Sequence, residues 1–244
     1  MRTQAPRIVE GFALLLVATL PAAADGPPPA DPYRYLPPPV FEYDWSGIYI
    51  GSHVGAATAA WARQLNPLEQ ISQHAYSAAG GVQLGVQKQW NSLLLGAEVS
   101  YTWADLGVSS NSAIVPGVSR IHDLNELLML AGRVGVTWQS YLAYAKVGYA
   151  GADIGFRSTA AGSLLTSSSA WEQGWLVGLG GEYGIRPDIT IGVEYDYIHL
   201  NVGAREQTAT PIGVVGSGTV EVQSVLARVN YKFAPGWLEW KPWR

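Results

Sequence analysis

The chain has 244 residues, no cysteine and a formal net charge of −4, and charged residues make up only 14% of it. The lack of cysteine excludes a disulfide framework and a thiolate metal site, and the lack of a basic patch argues against a nucleic-acid partner. Soluble domains carry about 25% charged residues. The low charge, together with 28 Gly, 13 Tyr and 10 Trp, favours a lipid-facing β-protein, although a sugar-binding β-sandwich would share this composition.

The first 24 residues have the pattern of a secretory signal. Arg2 and Arg7 give a charged start, Gly11–Leu20 is apolar, and three alanines ending at Ala24 offer a cleavage site. The apolar run is too short for an N-terminal anchor, because a membrane-spanning helix needs about 20 residues. We therefore expect residues 1–24 to be a cleaved export signal.

A proline-rich stretch follows the signal. Asp25–Pro39 reads DGPPPADPYRYLPPP, which is typical of an extended segment that cannot pair in a sheet. We expect residues 25–44 to form a periplasmic linker, and the alternative is a docking motif for a partner.

Eight later segments have the period-2 alternation of β-strands. In the last of them the two faces separate clearly, since Arg228 and Lys232 lie on one face while Tyr231 and Phe233 lie on the other. The predicted strands are Gly47–Ala60, Tyr76–Trp90, Leu93–Leu106, Asn125–Trp138, Tyr141–Arg157, Ala170–Ile185, Asp188–Gly203 and Thr219–Phe233.

The connections between these strands alternate in length. The short ones are Asn91-Ser92, Gln139-Ser140 and Arg186-Pro187, and barrels of the outer-membrane type have short periplasmic turns and longer external loops. The predicted long connections are Trp61–Ala75, Gly107–Leu124, Ser158–Ser169 and Ala204–Gly218.

Aromatic residues fall near the strand ends, as expected for belts at the two lipid–water boundaries. We expect Trp45, Trp90, Trp138, Tyr141, Tyr183, Tyr231 and Phe233 near the short turns, and Trp61, Tyr76, Tyr101, Trp103, Trp171, Trp175, Tyr195 and Tyr197 near the long connections. The predicted fold is all-β, an eight-stranded antiparallel up-and-down transmembrane β-barrel over residues 45–233.

Two short motifs carry a resemblance to a known family. The segment DWSGIYIGSHVG (Asp44–Gly55) and the last-strand ending VNYKF resemble those of the small outer-membrane β-barrel proteins of alphaproteobacteria, porin-family surface proteins related in shape to the OmpA transmembrane domain. The resemblance implies a surface antigen or envelope-integrity protein in the Gram-negative outer membrane, in contact with its lipids. It also implies insertion by the outer-membrane barrel machinery, which reads Tyr231 and Phe233 as an assembly signal.

The chain continues past the point where members of this family usually end. Residues 234–244, APGWLEWKPWR, carry a tryptophan at every third position from Trp237 to Trp243. We expect an interfacial flap on the periplasmic side, where Trp is favoured, and the alternative is a docking segment for another envelope protein.

Charged residues on the inward faces form the main candidate site. They predict either a structural ion-pair network inside a filled barrel or a gated pore with rearranging ion pairs, and an eight-stranded interior favours the former. The predicted network comprises Glu98, Arg133, Lys146, Glu182, Glu194, Asp196, Arg228 and Lys232.

Other chemistry is weakly indicated. His74 and His122 fall in predicted long loops and could ligate haem, with Tyr76 nearby. No metal-ligand motif and no nucleophile with an adjacent base is recognisable, so we expect no metal, no cofactor and no enzymatic activity. Three hypotheses follow: a structural or surface-exposed barrel, a small-solute channel, and a receptor for haem or a host ligand.

Overall fold

Antiparallel strands make up almost all of the chain that the computed structural model describes, which is residues 43–66, 69–111, 117–160, 163–206 and 215–233. None of these ranges contains a helix long and apolar enough to cross a membrane. The strands are β1 (Gly47–Asn66), β2 (Glu69–Trp90), β3 (Leu93–Ala104), β4 (Val108–Asn111), β5 (Val118–Trp138), β6 (Tyr141–Ala160), β7 (Ser163–Arg186), β8 (Ile189–Glu206) and β9 (Val215–Lys232).

Eight of these strands form a closed antiparallel ring. Neighbours in sequence pair with each other, β3 pairs with β5, and β1 pairs with β9 from Tyr49↔Lys232 to Gln64↔Ser217. The short strand β4 pairs with β5, at the connection between β3 and β5. Closure leaves no free edge in the ring, as a β-structure in lipid requires. The predicted fold class is confirmed.

The predicted long loops are mostly paired backbone instead. Strand β1 runs on to Asn66 and β2 begins at Glu69, so nearly all of Trp61–Ala75 belongs to a hairpin. In the same way β6 and β7 continue to Ala160 and from Ser163. The prediction placed the strand ends where alternation of apolar residues stops. The ladder itself needs only backbone hydrogen bonds and extends further.

The short turns lie at the other end of the ring, at residues 91–92, 139–140 and 187–188. Asn91 and Gln139 adopt left-handed φ angles of 53° and 54°. Such angles are unfavourable for most residues with a side chain, though asparagine tolerates them. All three turns join strands that were predicted to be linked by two residues.

The interior of the ring is divided into three layers. Beyond the middle, towards the long hairpins, lies an upper apolar layer that includes Leu106, Leu124, Met129, Leu200 and Val222, all buried. The charged layer in the middle contains the buried ionic side chains described below. At the short-turn end lies a lower aromatic layer of Tyr43, Trp45, Leu94, Leu142 and Tyr144.

The upper apolar layer was not predicted, because a polar interior was expected throughout. The run Leu127–Ala131 is apolar at every position, and in the structure Leu127 and Met129 are buried while Leu130 is exposed. This continuous apolar run could have predicted the layer, because a strand that is apolar on both faces has an apolar inward face as well as an apolar outward face.

Three predicted segments lie wholly or largely outside the described residues. These are the export signal (1–24), most of the linker (25–44) and the Trp-rich tail (234–244). The described end of the linker departs from the prediction, because Tyr43 is buried in the lower aromatic layer instead of forming part of a solvated tether.

Candidate functional site

The charged layer gathers side chains from six strands. Glu98 comes from β3, Arg133 from β5, Lys146 from β6, Glu182 from β7, Glu194 and Asp196 from β8, and Arg228 from β9. Each is at most 5% exposed. Strand periodicity explains this burial, because every second residue of these strands points inward.

Arg228 joins two strands that lie on different sides of the interior. Its guanidinium donates to Glu98 and to Glu194, and the Nη1–Oε1 distance to Glu98 is 3.2 Å. Charge-assisted hydrogen bonds of this kind are roughly twice as strong as neutral ones. Arg228 therefore ties β9 to both β3 and β8.

Arg133 has carboxylate and aromatic partners. Its Nη2 lies 2.5 Å from Glu182 Oε1 and its Nη1 lies 3.4 Å from Glu98 Oε2. The guanidinium carbon is 3.8 Å from the ring centroid of Tyr144, and Nη1 also donates to the hydroxyl of Tyr49. The Tyr49 hydroxyl in turn donates to Glu98 at 2.6 Å.

Lys146 is shared by three carboxylates. Its Nζ lies 2.7 Å from Glu194, 3.0 Å from Asp196 and 3.9 Å from Glu98. Arg133 and Lys146 are direct cross-strand partners, an arrangement of like charges that is unfavourable by itself. The surrounding carboxylates compensate it. Among the described residues of this layer, four carboxylates face three cations, which leaves an excess of one negative charge.

Lys232 does not join the charged layer, although it was predicted to. Its Nζ donates to the backbone carbonyl of Asp44 and lies 4.3 Å from the ring centroid of Tyr43. The inward face of β9 places Lys232 two inward positions below Arg228, at the short-turn end. The alternating pattern identified its face correctly but said nothing of its height in the barrel.

A chain of hydrogen bonds through uncharged side chains leads into the charged layer, and the sequence analysis did not predict it. His53 lies 2.6 Å from Gln83 Oε1 and 2.9 Å from the hydroxyl of Thr102. Gln83 donates to Asn230 at 2.8 Å, and Asn230 donates to Glu182 at 3.0 Å. All of these residues have inward-facing positions, and that was the one signal that could have grouped them.

The outward face carries most of the predicted aromatic belt. Trp90, Trp103, Trp138, Tyr141, Trp171, Trp175 and Tyr195 are exposed, and Tyr197 is half-buried. Some have polar partners, since Trp171 donates to Tyr149 at 3.1 Å and Tyr195 donates to Gln223 at 3.0 Å. This combination of apolar ring and polar tip suits a lipid–water boundary.

Two tryptophans assigned to the belts lie inside the barrel instead. Trp45 is 0% exposed in the lower aromatic layer. Trp61 is buried in the upper apolar layer, 5.7 Å from the ring of His122. Both residues were assigned to the belts because they are near strand ends. Their side chains point inward, so they are not part of the belts.

The two histidines considered for haem binding lie on strands, and the prediction that they are in loops is wrong. His74 is exposed on β2, whereas His122 is buried on β5 between Trp61 and Phe156, whose ring lies 5.0 Å away. The two side chains thus point to opposite faces of the barrel wall, so they cannot ligate one haem together. Among the described residues, no group of three His, Cys, Asp or Glu side chains could hold a metal ion.

Comparisons with known proteins agree with this architecture. The sequence model of the family described as outer membrane protein beta-barrel domain matches residues 11–233. The 31 kDa outer-membrane immunogenic proteins of Brucella melitensis biotype 1 and of Brucella suis biovar 1 are each 29% identical over 214 residues, which cover 80% of this chain and 86% of the relative.

The comparison with solved structures gives matches of lower similarity. Ail, the attachment invasion locus protein of Yersinia pestis, has a TM-score of 0.41 at 12% identity, with 77% of this chain and 99% of Ail covered. The family match, by contrast, spans most of the chain. The chain therefore belongs to the outer-membrane β-barrel domain family and is a protein of the Gram-negative outer membrane.

Proposed function

We propose that this protein is a structural and surface-exposed barrel of the outer membrane, whose long hairpins serve as an interaction surface and whose interior contains no large permanent pore. The filled interior is the observation that carries this proposal. Side chains of the upper apolar layer, the charged layer and the lower aromatic layer are almost completely inaccessible to solvent. Small eight-stranded barrels are commonly filled in this way.

The layers on either side of the charged layer argue against the alternative of a small-solute channel. Leu106, Leu124 and Leu200 are fully buried above it, and Trp45 is fully buried below it. A hydrated ion would have to leave water to pass such apolar layers, which is costly. Rearrangement of the ion pairs alone would not open a path through them.

Conductance in planar bilayers tests this part of the proposal. We expect the folded wild-type protein, identified by its heat-modifiable migration, to give no stable conductance steps. A triple variant Leu106→Gly, Leu124→Gly and Trp45→Gly is measured beside it, because it removes bulk from both apolar layers. Discrete openings of the wild-type protein at low voltage would refute the absence of a pore.

Surface exposure of the long hairpins is supported by the relatives. The Brucella proteins are named immunogenic outer-membrane proteins, and an immunogenic barrel is expected to expose its long connections. An epitope inserted between residues 67 and 68, which connect β1 to β2 in the sequence, should be labelled by antibody on intact cells. The same epitope between Asn91 and Ser92, in a short turn, should be labelled only after permeabilisation. The reverse result would contradict the orientation.

One hydroxyl–imidazole pair lies in the described interior, but its surroundings do not suit catalysis. Thr102 lies 2.9 Å from His53, but both side chains are buried, and the partner of the other ring nitrogen is the neutral amide of Gln83. We infer that this chain of hydrogen bonds is structural.

The haem-receptor alternative is tested by haem titration of the refolded barrel, with His74→Ala and His122→Ala as controls. We expect no saturable binding.

The last strand supports a role in assembly. Tyr231 and Phe233 point outward and contact each other with ring centroids 5.4 Å apart, and the backbone amide of Phe233 donates to Ile48 at 2.9 Å. We infer that the barrel insertion machinery recognises this exposed pair. Phe233→Ala should lower the heat-modifiable fraction in cells while refolding into detergent stays normal. A defect in both assays would instead mean that Phe233 stabilises the barrel itself.

Residues 234–244 remain a predicted interfacial flap, with docking to an envelope partner as the alternative. Deletion of these residues separates the two. A truncated chain that inserts normally and keeps every partner in pull-downs contradicts the docking alternative.

A further inference from the structure

The lower mouth of the barrel is filled by residues that precede the first strand. Tyr43 and Trp45 are 1% and 0% exposed, and their rings lie 4.5 Å apart. We refer to Tyr43–Trp45 as the mouth segment. It packs against Leu94, Leu142 and Tyr144 in the lower aromatic layer, at the end of the barrel where the short turns lie. In outer-membrane barrels this end faces the periplasm.

Backbone and side-chain hydrogen bonds hold the mouth segment on several sides. The amide of Trp45 donates to Gln89 at 3.0 Å, and its carbonyl accepts from Gln87 at 2.8 Å. The amide of Tyr43 donates to the backbone carbonyl of Gln139 at 3.4 Å. Residues of the barrel therefore supply hydrogen-bond partners for these three backbone groups, as a buried peptide requires.

Lys232 fastens the mouth segment to the last strand. Its ammonium group donates to the carbonyl of Asp44 and lies over the Tyr43 ring at 4.3 Å. A cation over an aromatic face is attracted by the ring quadrupole. This contact accounts for the position of Lys232 outside the charged layer.

The barrel wall contains a seat for the ring of Tyr43. A Cβ atom placed at Gly184 would lie 2.3 Å from that ring, which is closer than any real contact. A glycine at this inward position of β7 therefore permits the ring to enter, and a larger residue there would exclude it.

The mouth segment also lies directly beneath the charged layer. Tyr144, which packs in the same cluster, carries Arg133 on its ring at 3.8 Å and donates its hydroxyl to Glu194 at 2.6 Å. Removal of the mouth segment would admit periplasmic water to Tyr144 and then to Arg133, while the upper apolar layer would still close the other end.

We propose that the periplasmic mouth is a binding site for a short aromatic peptide segment, that Tyr43–Trp45 occupy it in cis, and that this occupancy controls access of periplasmic water to the charged layer. When the mouth segment is displaced, the interior is open to the periplasm only as far as the charged layer, and the upper apolar layer closes it beyond that point. Its ligand is a peptide with two aromatic side chains separated by one residue, as in the mouth segment itself, where Asp44 accepts from Lys232 through its backbone carbonyl.

The absence of native cysteine allows a direct test with single-cysteine reporters in the full chain. Leu94→Cys, the lower reporter, places a thiol against the mouth segment in the lower aromatic layer, and Leu200→Cys, the upper reporter, places one in the upper apolar layer. Reaction with a charged methanethiosulfonate is measured in detergent-solubilised, heat-modifiable protein. We compare Gly184→Leu, which fills the seat of Tyr43, with Gly181→Leu on the same strand, where an added Cβ would meet only a backbone oxygen at 3.8 Å.

The model in which the mouth segment is a removable plug predicts that the lower reporter is protected in the Gly181→Leu background and reacts at least about tenfold faster with Gly184→Leu, as expected when a local opening becomes favourable. The upper reporter should stay protected in both. Equal reactivity of the lower reporter in the two backgrounds, or exposure of both reporters together, would overturn the proposal. If Gly184→Leu does not fold, the double variant Tyr43→Ala, Trp45→Ala is measured with the same reporters.

A rescue experiment tests the binding site itself. A synthetic peptide with the sequence of residues 41–47 is added to the double alanine variant at about millimolar concentration, which matches the effective concentration of a tethered segment. We expect it to restore protection of the lower reporter, whereas the same peptide with both aromatic residues of the mouth segment replaced by alanine should not. Failure of the native peptide to protect would refute a peptide site at the mouth.

Discussion

Arg133 lies against the face of Tyr144, with 3.8 Å between the guanidinium carbon and the ring centroid, while the Tyr144 hydroxyl donates to Glu194 at 2.6 Å. One tyrosine thus contacts both a cation and a carboxylate of the charged layer. A Cβ at Gly180 would lie 2.3 Å from this ring, so the opposite position on β7 must stay small for the contact to form.

The two contacts of Tyr144 can be separated by substitution. Tyr144→Phe keeps the ring and loses the hydroxyl, which donates to Glu194 and accepts from Arg228 at 3.3 Å, and we expect it to lower the free energy of unfolding by about 1.5–3 kcal/mol. Tyr144→Leu also loses the cation–π contact, worth about 2 kcal/mol when desolvated. Urea unfolding in detergent micelles, followed by tryptophan fluorescence, measures both. Equal values for the two variants would show that the ring contact contributes nothing.

Removal of the Arg133 charge should be strongly destabilising. Arg133→Met leaves Glu182 without the cation 2.5 Å away, and breaking a buried pair from one side costs about 3–5 kcal/mol. The double variant Arg133→Met, Glu182→Gln should recover part of that loss. Lys88→Met, on the exposed outer face, is the control and should change stability by less than about 0.5 kcal/mol. A double variant as unstable as the single one would argue against direct coupling.

Neutralisation of Asp196 should be tolerated, unlike neutralisation of Glu194. Asp196→Asn brings the described charged layer to three carboxylates and three cations, so we expect stability unchanged or raised by about 1 kcal/mol, because an excess buried charge is unfavourable. Glu194→Gln removes a carboxylate that pairs with both Lys146 and Arg228 and should cost about 3 kcal/mol. The same unfolding assay ranks the two, and a larger loss for Asp196→Asn would contradict the charge balance.

The energetic cost of a charged substitution on the outward face should depend on its depth in the membrane. Leu179 is 64% exposed and lies between Trp175 and Tyr183 on the outward face of β7, so Leu179→Arg should destabilise the protein folded in lipid by about 2–4 kcal/mol. Tyr183→Arg, near the short turns, should cost about 0–1 kcal/mol. Equal penalties in lipid vesicles would mean that the belts do not mark the bilayer boundaries on the wall.

The sequence predicted the direction of a side chain correctly where strand alternation alone determines it. Alternation assigned Glu98, Arg133 and Arg228 to the interior, because a strand admits only two side-chain directions. Heights along the barrel depend on the stagger between strands, which no local pattern encodes. Lys232 was therefore placed in the wrong layer.

The buried aromatic residues show a second limit. Trp45 and Trp61 were predicted near strand ends, as the belt residues were. Only the inward direction of their side chains distinguishes them from the belt residues. His122 was assigned to a loop because its neighbours do not alternate, yet backbone pairing with Phe156 places it on β5. These errors arise wherever pairing across strands, and not the sequence around the residue, fixes the position.

Arg133 and Lys146 face each other in the hairpin β5–β6, and on its described inward face that hairpin carries no carboxylate of its own. Compensation comes from Glu98 on β3, Glu182 on β7 and Glu194 on β8. A hairpin inserted alone would bring two unpaired cations into a medium of low dielectric constant, at a cost of several kcal/mol for each ion. We therefore expect insertion of this barrel into the membrane to be concerted, with most of the ring assembled before the hairpin β5–β6 crosses the hydrocarbon.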